Sequence, residues 1–163
     1  MLILPCPWIV DILKGKNLAY KINSNPSNKV GEASGILVGG NLALIYALLG
    51  TPYSFDFKDK ILFIEDIGEN FYALNRMIMS LELAGVFKKI KGLIVGGMTN
   101  MGKETENKEY EESFDSFTYQ LIADRVSKYD FPTVFAFPNG HIYDNRPLII
   151  GSDVKMKVDK KVL

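Results

Sequence analysis

Lys60-Ile61-Leu62-Phe63-Ile64-Glu65-Asp66 is a short apolar strand that runs out on two carboxylates. It opens the most regular part of the chain. Residues 70–84 follow with Phe71, Leu74, Ile78 and Leu81 three or four apart, the spacing of one helical stripe, and Gly85 is placed to end that helix. A second strand is expected over 92–95, a second helix over 113–128 with Phe114, Phe117, Leu121, Ile122 and Val126 as its inner stripe, and a third strand over 133–137. Strand, helix, strand, helix, strand with apolar strand cores predicts an α/β fold built from parallel crossovers. In such sheets the carboxyl ends of the strands share one edge, where ligands and chemistry collect. Glu65, residues 96–100 and residues 138–141 therefore become neighbours by topology.

Working outward, the N-terminal third reads as short strands and turns. A strand is expected at 18–22, then the turn-rich run 23–28, then a strand at 33–38 broken by Gly39-Gly40. Asn41 is placed as the N-cap of a helix over 42–49, which Gly50 and Pro52 stop. That helix has little polar face and is expected to be largely buried. At the other end, strands near 148–150 and 154–158 joined across Gly151-Ser152-Asp153 read as a C-terminal hairpin. No internal repeat or low-complexity tract is present. Residues 103–112 carry five glutamates and two lysines and read as a solvated loop or helix entry.

The chain's 163 residues fit one domain, residues 1–163, able to bury roughly two thirds of the surface its unfolded form exposes. Nineteen basic side chains balance nineteen acidic ones, so there is no basic field to hold a nucleic acid or an anionic membrane. One cysteine, Cys6, makes neither an internal disulfide nor a multi-cysteine metal site and fits a reducing compartment. No apolar run approaches the ~20 residues that span a bilayer. The apolar start, Met1 to Trp8, lacks a basic leader and is broken by Pro5 and Pro7, unlike a signal peptide. It reads as the cut edge of a longer chain or as a surface that packs on something. Oligomeric state is left open, a homodimer included.

Glu65 and the single histidine, His141, are the leading candidates for chemistry. A neutral imidazole is a good general base near neutral pH, and a carboxylate on its second nitrogen fixes the tautomer. Spacing leaves a plainer reading open, in which Glu65 caps the next helix and His141 is a turn residue beside Gly140. Gly97-Met98-Thr99-Asn100-Met101-Gly102-Lys103 has the spacing of a phosphate-binding loop, but Glu104 stands where Ser or Thr would hold magnesium. Gly39-Gly40-Asn41 is a weak anion-site signal. Cys6 with His141 could be a nucleophile and base, although a buried inert thiol is far commoner in such surroundings. His141 with Glu65, Asp66 and Asp144 makes a poor case for a metal. Neither metal nor cofactor is expected.

Taken together, 31–42 (Gly-Glu-Ala-Ser-Gly-Ile-Leu-Val-Gly-Gly-Asn-Leu), 49–52 (Leu-Gly-Thr-Pro), 60–66, Asn75-Arg76-Met77 and Gly140-His141 with Asn145, Pro147, Leu148 and Gly151 resemble the LD-carboxypeptidase family of serine peptidases. The order and spacing agree from about residue 30 onward. The resemblance implies the C-terminal domain of a two-domain enzyme, a swivelling β/β/α-type domain, with the N-terminal nucleophile domain absent. It implies a Ser-Glu-His triad that cleaves an L-to-D peptide bond, typically releasing D-alanine from a murein tetrapeptide during cell-wall recycling in the cytoplasm. Glu65 and His141 fall on the positions of the family's glutamate and histidine; Glu69 fits less well. Relatives that cleave acylated peptide-nucleotide antibiotics share these motifs, and a stand-alone binding domain retaining both residues is a further reading. Ser34, Ser80 and Ser152 fall in an expected strand, helix and hairpin turn, so no serine here matches the family's nucleophile turn. The isolated chain is expected to be inactive. Asn75 replaces the family's usual aspartate, which puts a local ion pair in doubt.

Overall fold

The computed structural model describes residues 7–102 and 111–159, with side chains from residue 8 and, in the second segment, from residue 116. Cys6 and the acidic run at 103–110 lie outside the described residues. The elements are α1 (Pro7–Leu13), β1 (Gly31–Asn41), α2 (Leu42–Leu48), β2 (Ile61–Ile67), α3 (Phe71–Leu83), β3 (Gly92–Thr99), α4 (Glu111–Val126), β4 (Thr133–Val134) and β5 (Asp153–Val158). The strands form one sheet in the order β4-β3-β2-β1-β5. The first four strands are parallel and β5 is antiparallel to β1. This is the α/β arrangement with strand-helix-strand units that the apolar patterning predicts.

Strand alternation sorts the core into two layers. Leu62 and Ile64 of β2 point to the helices, where they join Leu42 and Ile45 of α2, Leu74, Ile78 and Leu81 of α3, and Ile122 and Val126 of α4. Ile61 and Phe63 point the other way, into a smaller cluster with Leu37, Ile94, Phe137 and Val158. Tyr20, Ile22 and Leu148 pack over that second layer. Helices α2, α3 and α4 thus cover one face, while segments from both ends of the chain, with Trp8 of α1 against Tyr20, lie on the other.

Several expectations change where long-range pairing decides. β1 does not break at Gly39-Gly40 but runs on to Asn41. A Cβ on Gly39 would lie 1.9 Å from the Phe63 carbonyl oxygen, so glycine there permits close approach of β2. Residues 18–22 form no strand, and neither do residues 148–150. There is no C-terminal hairpin: β5 pairs with β1, from Ile36 opposite Asp153 to Gly31 opposite Val158. The turn before it is stitched directly to β1, with the Leu37 N–H bonding Ser152 O at 2.9 Å and the Gly151 N–H bonding Leu37 O at 2.8 Å. The long open edge of β1 offers more ladder bonds than a three-residue neighbour could.

The third strand is also shorter than its apolar run. The Phe135 N–H is taken by the Asn28 side chain at 2.8 Å and Ala136 turns the backbone at φ 55°, so ladder pairing stops at Val134. α2 buries only Leu42 and Ile45; Leu44 is 66% exposed and Tyr46 43%, which overturns the expectation of a largely buried helix. Among the described side chains of α4, Thr118, Tyr119, Ile122 and Val126 are buried and Leu121 packs against the core, whereas Phe117 stays 54% exposed and meets Phe71 edge-on; the side chain of Phe114 lies outside those described. Tyr119 claims the inner position because its hydroxyl reaches the buried carbonyl of Gly96 at 2.9 Å.

Candidate functional site

β2 does not end at Ile64, as its apolar run suggests, but carries Glu65 and Asp66 within the strand. Both are buried, Glu65 at 7% and Asp66 at 2% exposure, and alternation sends them to opposite faces. Asp66 turns to the helix layer. Its Oδ1 accepts from the Asn41 side chain and from its neighbour Ile67, both at 2.9 Å, and its Oδ2 accepts from the Ala43 N–H at 3.1 Å. Asn41 itself accepts from the Leu44 N–H, so these two side chains together cap α2. Burial holds the Asp66 carboxyl above the ordinary aspartate range despite the hydrogen bonds that oppose it. The capping that the plainer reading gave to Glu65 is done by Asp66, and for the preceding helix rather than the next.

Glu65 faces the other layer and meets His141. The imidazole Nδ1 lies 2.8 Å from Glu65 Oε2. A carboxylate only accepts, so Nδ1 carries the proton, and in the neutral ring Nε2 is the acceptor. The glutamate side chain is 9% exposed and the histidine 51%, so the carboxylate lies beneath a half-exposed ring.

The loop 138–147 that delivers His141 is fastened at several points. A register shift between Ile64 and Asp66 on β2 is matched by Gly96-Gly97 on β3, and the Gly97 N–H turns out to bond Asn139 O at 2.9 Å. The Thr99 hydroxyl donates to the His141 carbonyl at 3.0 Å. The loop's neck is closed by the Arg146 N–H on Pro138 O at 2.7 Å and by the Asn139 side chain on Arg146 O at 2.6 Å. Inside it, the Gly140 N–H bonds Asn145 Oδ1 at 3.3 Å. Gly140 itself, at φ 126°, lies against the carboxylate: a Cβ there would be 2.9 Å from Glu65 Oε2.

Above the pair is an open depression of about 450 Å³ whose floor and walls include Gly40, Phe63, Asn139, Asn145, Leu148 and Ile150. A larger depression of about 610 Å³ sits at the far end of the sheet among Glu32, Lys91, Asp130, Lys155 and Lys157. It holds no histidine, and of its three lysines Lys157 is paired with Glu32 at 3.2 Å and Lys91 with Asp59 at 3.4 Å. The histidine–glutamate pair lies at the smaller one.

The other sequence candidates separate from this site. Gly97 lies inside β3, and the rest of the phosphate-loop spacing from Lys103 falls outside the described residues. Glu69 contributes its carbonyl to the Gly102 N–H rather than its side chain to His141. Asp144 pairs with Arg146. Among the described residues no group of three or more His, Cys, Asp or Glu could hold a metal, and no helix is long and apolar enough to cross a membrane. Ser34 lies in β1, Ser80 in α3, and Ser152 donates its hydroxyl to Ile149 O. Asn75 accepts from Arg125 at 2.9 Å, so the position that lacks an aspartate still joins α3 to α4. Asp66 was weighed only as a poor metal partner, and Thr99, Asn139 and Arg146 were given no individual role, because what they do depends on contacts between distant segments with no local signature.

The LD-carboxypeptidase C-terminal domain family matches residues 34–156. A Bacillus subtilis protein named as a probable murein peptide carboxypeptidase is 32% identical over 131 residues, 80% of this chain and 39% of its own length. A candidate carboxypeptidase of Synechocystis is 30% identical over 159 residues, 96% of this chain and 50% of its own. Among solved structures, a muramoyltetrapeptide carboxypeptidase from Oxalobacter formigenes superposes with a TM-score of 0.69 at 29% identity, over 83% of this chain and 45% of that one. The chain spans about two fifths to one half of the length of these relatives.

Proposed function

Since this chain belongs to the LD-carboxypeptidase C-terminal domain family, we propose that it supplies the histidine base and the orienting glutamate of a serine-type LD-carboxypeptidase, and that the nucleophilic serine comes from the part of the relatives it does not span. The observation that carries this reading is the His141–Glu65 pair at 2.8 Å on the wall of an open depression. The substrate is a murein peptide ending in a D-amino acid, and the product is free D-alanine from a recycled tetrapeptide in the cytoplasm.

In that reaction His141 Nε2 takes the serine proton as the oxygen attacks the L-centre carbonyl, then gives it to the departing D-alanine amine. Glu65 holds the ring in the Nδ1–H tautomer and stabilises the imidazolium between the two transfers. Alone, the chain has the base without a nucleophile and releases nothing.

The test is to join the chain to the upstream half of its reading frame and measure D-alanine release from murein tetrapeptide, with and without His141→Ala. The reading expects a loss of roughly 10³-fold or more in kcat. Full activity in the variant, or release of D-alanine by the isolated chain, overturns it.

A further inference from the structure

Arg146 closes the loop that carries His141, and nothing in the triad chemistry calls for it. Its Nε and Nη2 make a forked contact with Asp144, at 3.2 and 2.8 Å. Its Nη1 reaches back across the chain to the Lys21 carbonyl at 3.3 Å. The guanidinium carbon lies 6.0 Å from the centroids of both Trp8 and Tyr20, whose rings meet edge-on at 5.1 Å. Tyr20 adds a bond from its hydroxyl to the Pro147 carbonyl at 2.7 Å, and its ring stands edge-on to Phe137 at 5.8 Å.

These contacts tie the segment 8–21, which precedes the sheet, to the far leg of the 138–147 loop. The near leg is held to β3 through Asn139 and His141. A loop fixed on one leg only would let His141 swing away from Glu65, because half of the imidazole faces water and the pair itself is one hydrogen bond. The planar fork of arginine can engage a carboxylate with two nitrogens while its face stays available to aromatic rings, which a lysine cannot do.

We propose that Arg146 is a positioning residue for His141: clamped between Asp144, the Lys21 carbonyl and the Trp8–Tyr20 pair, it fixes the loop so that the imidazole keeps its Nδ1–H bond to Glu65. The N-terminal segment then reports directly on the site, since it supplies three of the clamp's four contacts. This inference rests on His141 being the base, but it can be read on the ring itself.

His141 is the only histidine, so its two ring nitrogens can be followed by 15N NMR in the 163-residue chain without ambiguity. On the alkaline side of its own titration, the wild-type ring should show one pyrrole-type and one pyridine-type nitrogen, the signature of a single tautomer. In Arg146→Met the two signals should converge as the tautomers mix, while Asn75→Ala, which removes a comparable bond on the α3–α4 side, should leave them apart. An unchanged signature in Arg146→Met overturns the proposal, and so does convergence in both variants, which would mean general loosening. Should Arg146→Met fail to fold, Arg146→Lys is read the same way, because it keeps the charge and stem but not the fork. Glu65→Ala separates the two readings: if it leaves the signature intact, the Glu65–His141 pairing fails on its own account, whatever Arg146 does.

Discussion

Glu65 and His141 are 76 residues apart in the chain and 2.8 Å apart in the fold, with the carboxylate beneath and the imidazole above. The contact depends on β2 bringing one residue to the inner side of the sheet edge and on a fastened loop lowering the other onto it.

Glu65→Gln keeps the shape but replaces a pure acceptor by an amide that can also donate. The wrong tautomer of His141 then becomes accessible. With the upstream half restored, kcat should fall by roughly 10²- to 10⁴-fold with KM little changed, measured as D-alanine release. A fall in affinity alone would place Glu65 in substrate binding.

Gly140→Ala should disturb the Glu65–His141 contact without replacing either residue. The new methyl would press on the Glu65 carboxylate, and φ 126° is a backbone conformation that alanine resists. A loss of about 1–3 kcal/mol in denaturant unfolding is expected. The His141 ring signals should shift in the same variant.

Tyr119→Phe deletes the 2.9 Å bond to the Gly96 carbonyl, in the β3 stretch that receives the His141 loop. The carbonyl is buried and would be left without that donor. A cost of about 1–3 kcal/mol follows from an unmet buried acceptor. The change should be seen in thermal melts and as faster exchange of the Gly97 amide.

Two carboxylates should give pH effects of opposite sign. Burial raises the Asp66 pKa in the fold, so its contribution is fully present below about 3.8 and is lost as pH rises through the folded value. Glu82 is lowered, chiefly by its bond from Lys128, so its contribution is present above about 4.5 and is lost as pH falls through the folded value. Glu82→Gln should therefore flatten the stability profile on the acid side of 4.5, and Asp66→Asn should flatten it on the alkaline side of 3.8. Urea titrations across that range check both signs.

Asn75→Asp should strengthen the α3–α4 seam. Arg125 already donates to Asn75 at 2.9 Å, and a charge there would assist the bond. Because Arg125 also contacts Glu82 at 3.3 Å, the gain is limited to a few tenths of a kcal/mol and should shrink with added salt.

Much of this architecture was legible in residue order. The stripe Leu74, Ile78 and Leu81 marked α3, the apolar runs marked β2 and β3, and Asn41 marked the start of α2. The misreadings share a cause. Residues 18–22 and 148–150 are apolar enough for strands, yet a strand is defined by its partner, and the open edge of β1 pairs with β5 instead. The helix α2 looked buried because its sequence is apolar all round, but only one edge meets the core. α1 was not foreseen at all: its seven residues, opening on Pro7, are too few to show a helical stripe.

Residue order alone was enough to show that strands and helices alternate and that the strand ends gather Glu65 with residues 138–141, because apolar runs and helical stripes are local patterns. Only the tertiary structure decided which carboxylate receives the histidine. Asp66 is spent on the Asn41 side chain and the Ala43 N–H, and Glu65 is left to His141 by a shifted register at Gly96-Gly97 and a loop closed through Arg146. Register and loop closure arise from contacts between distant segments, and no local pattern of residues encodes them.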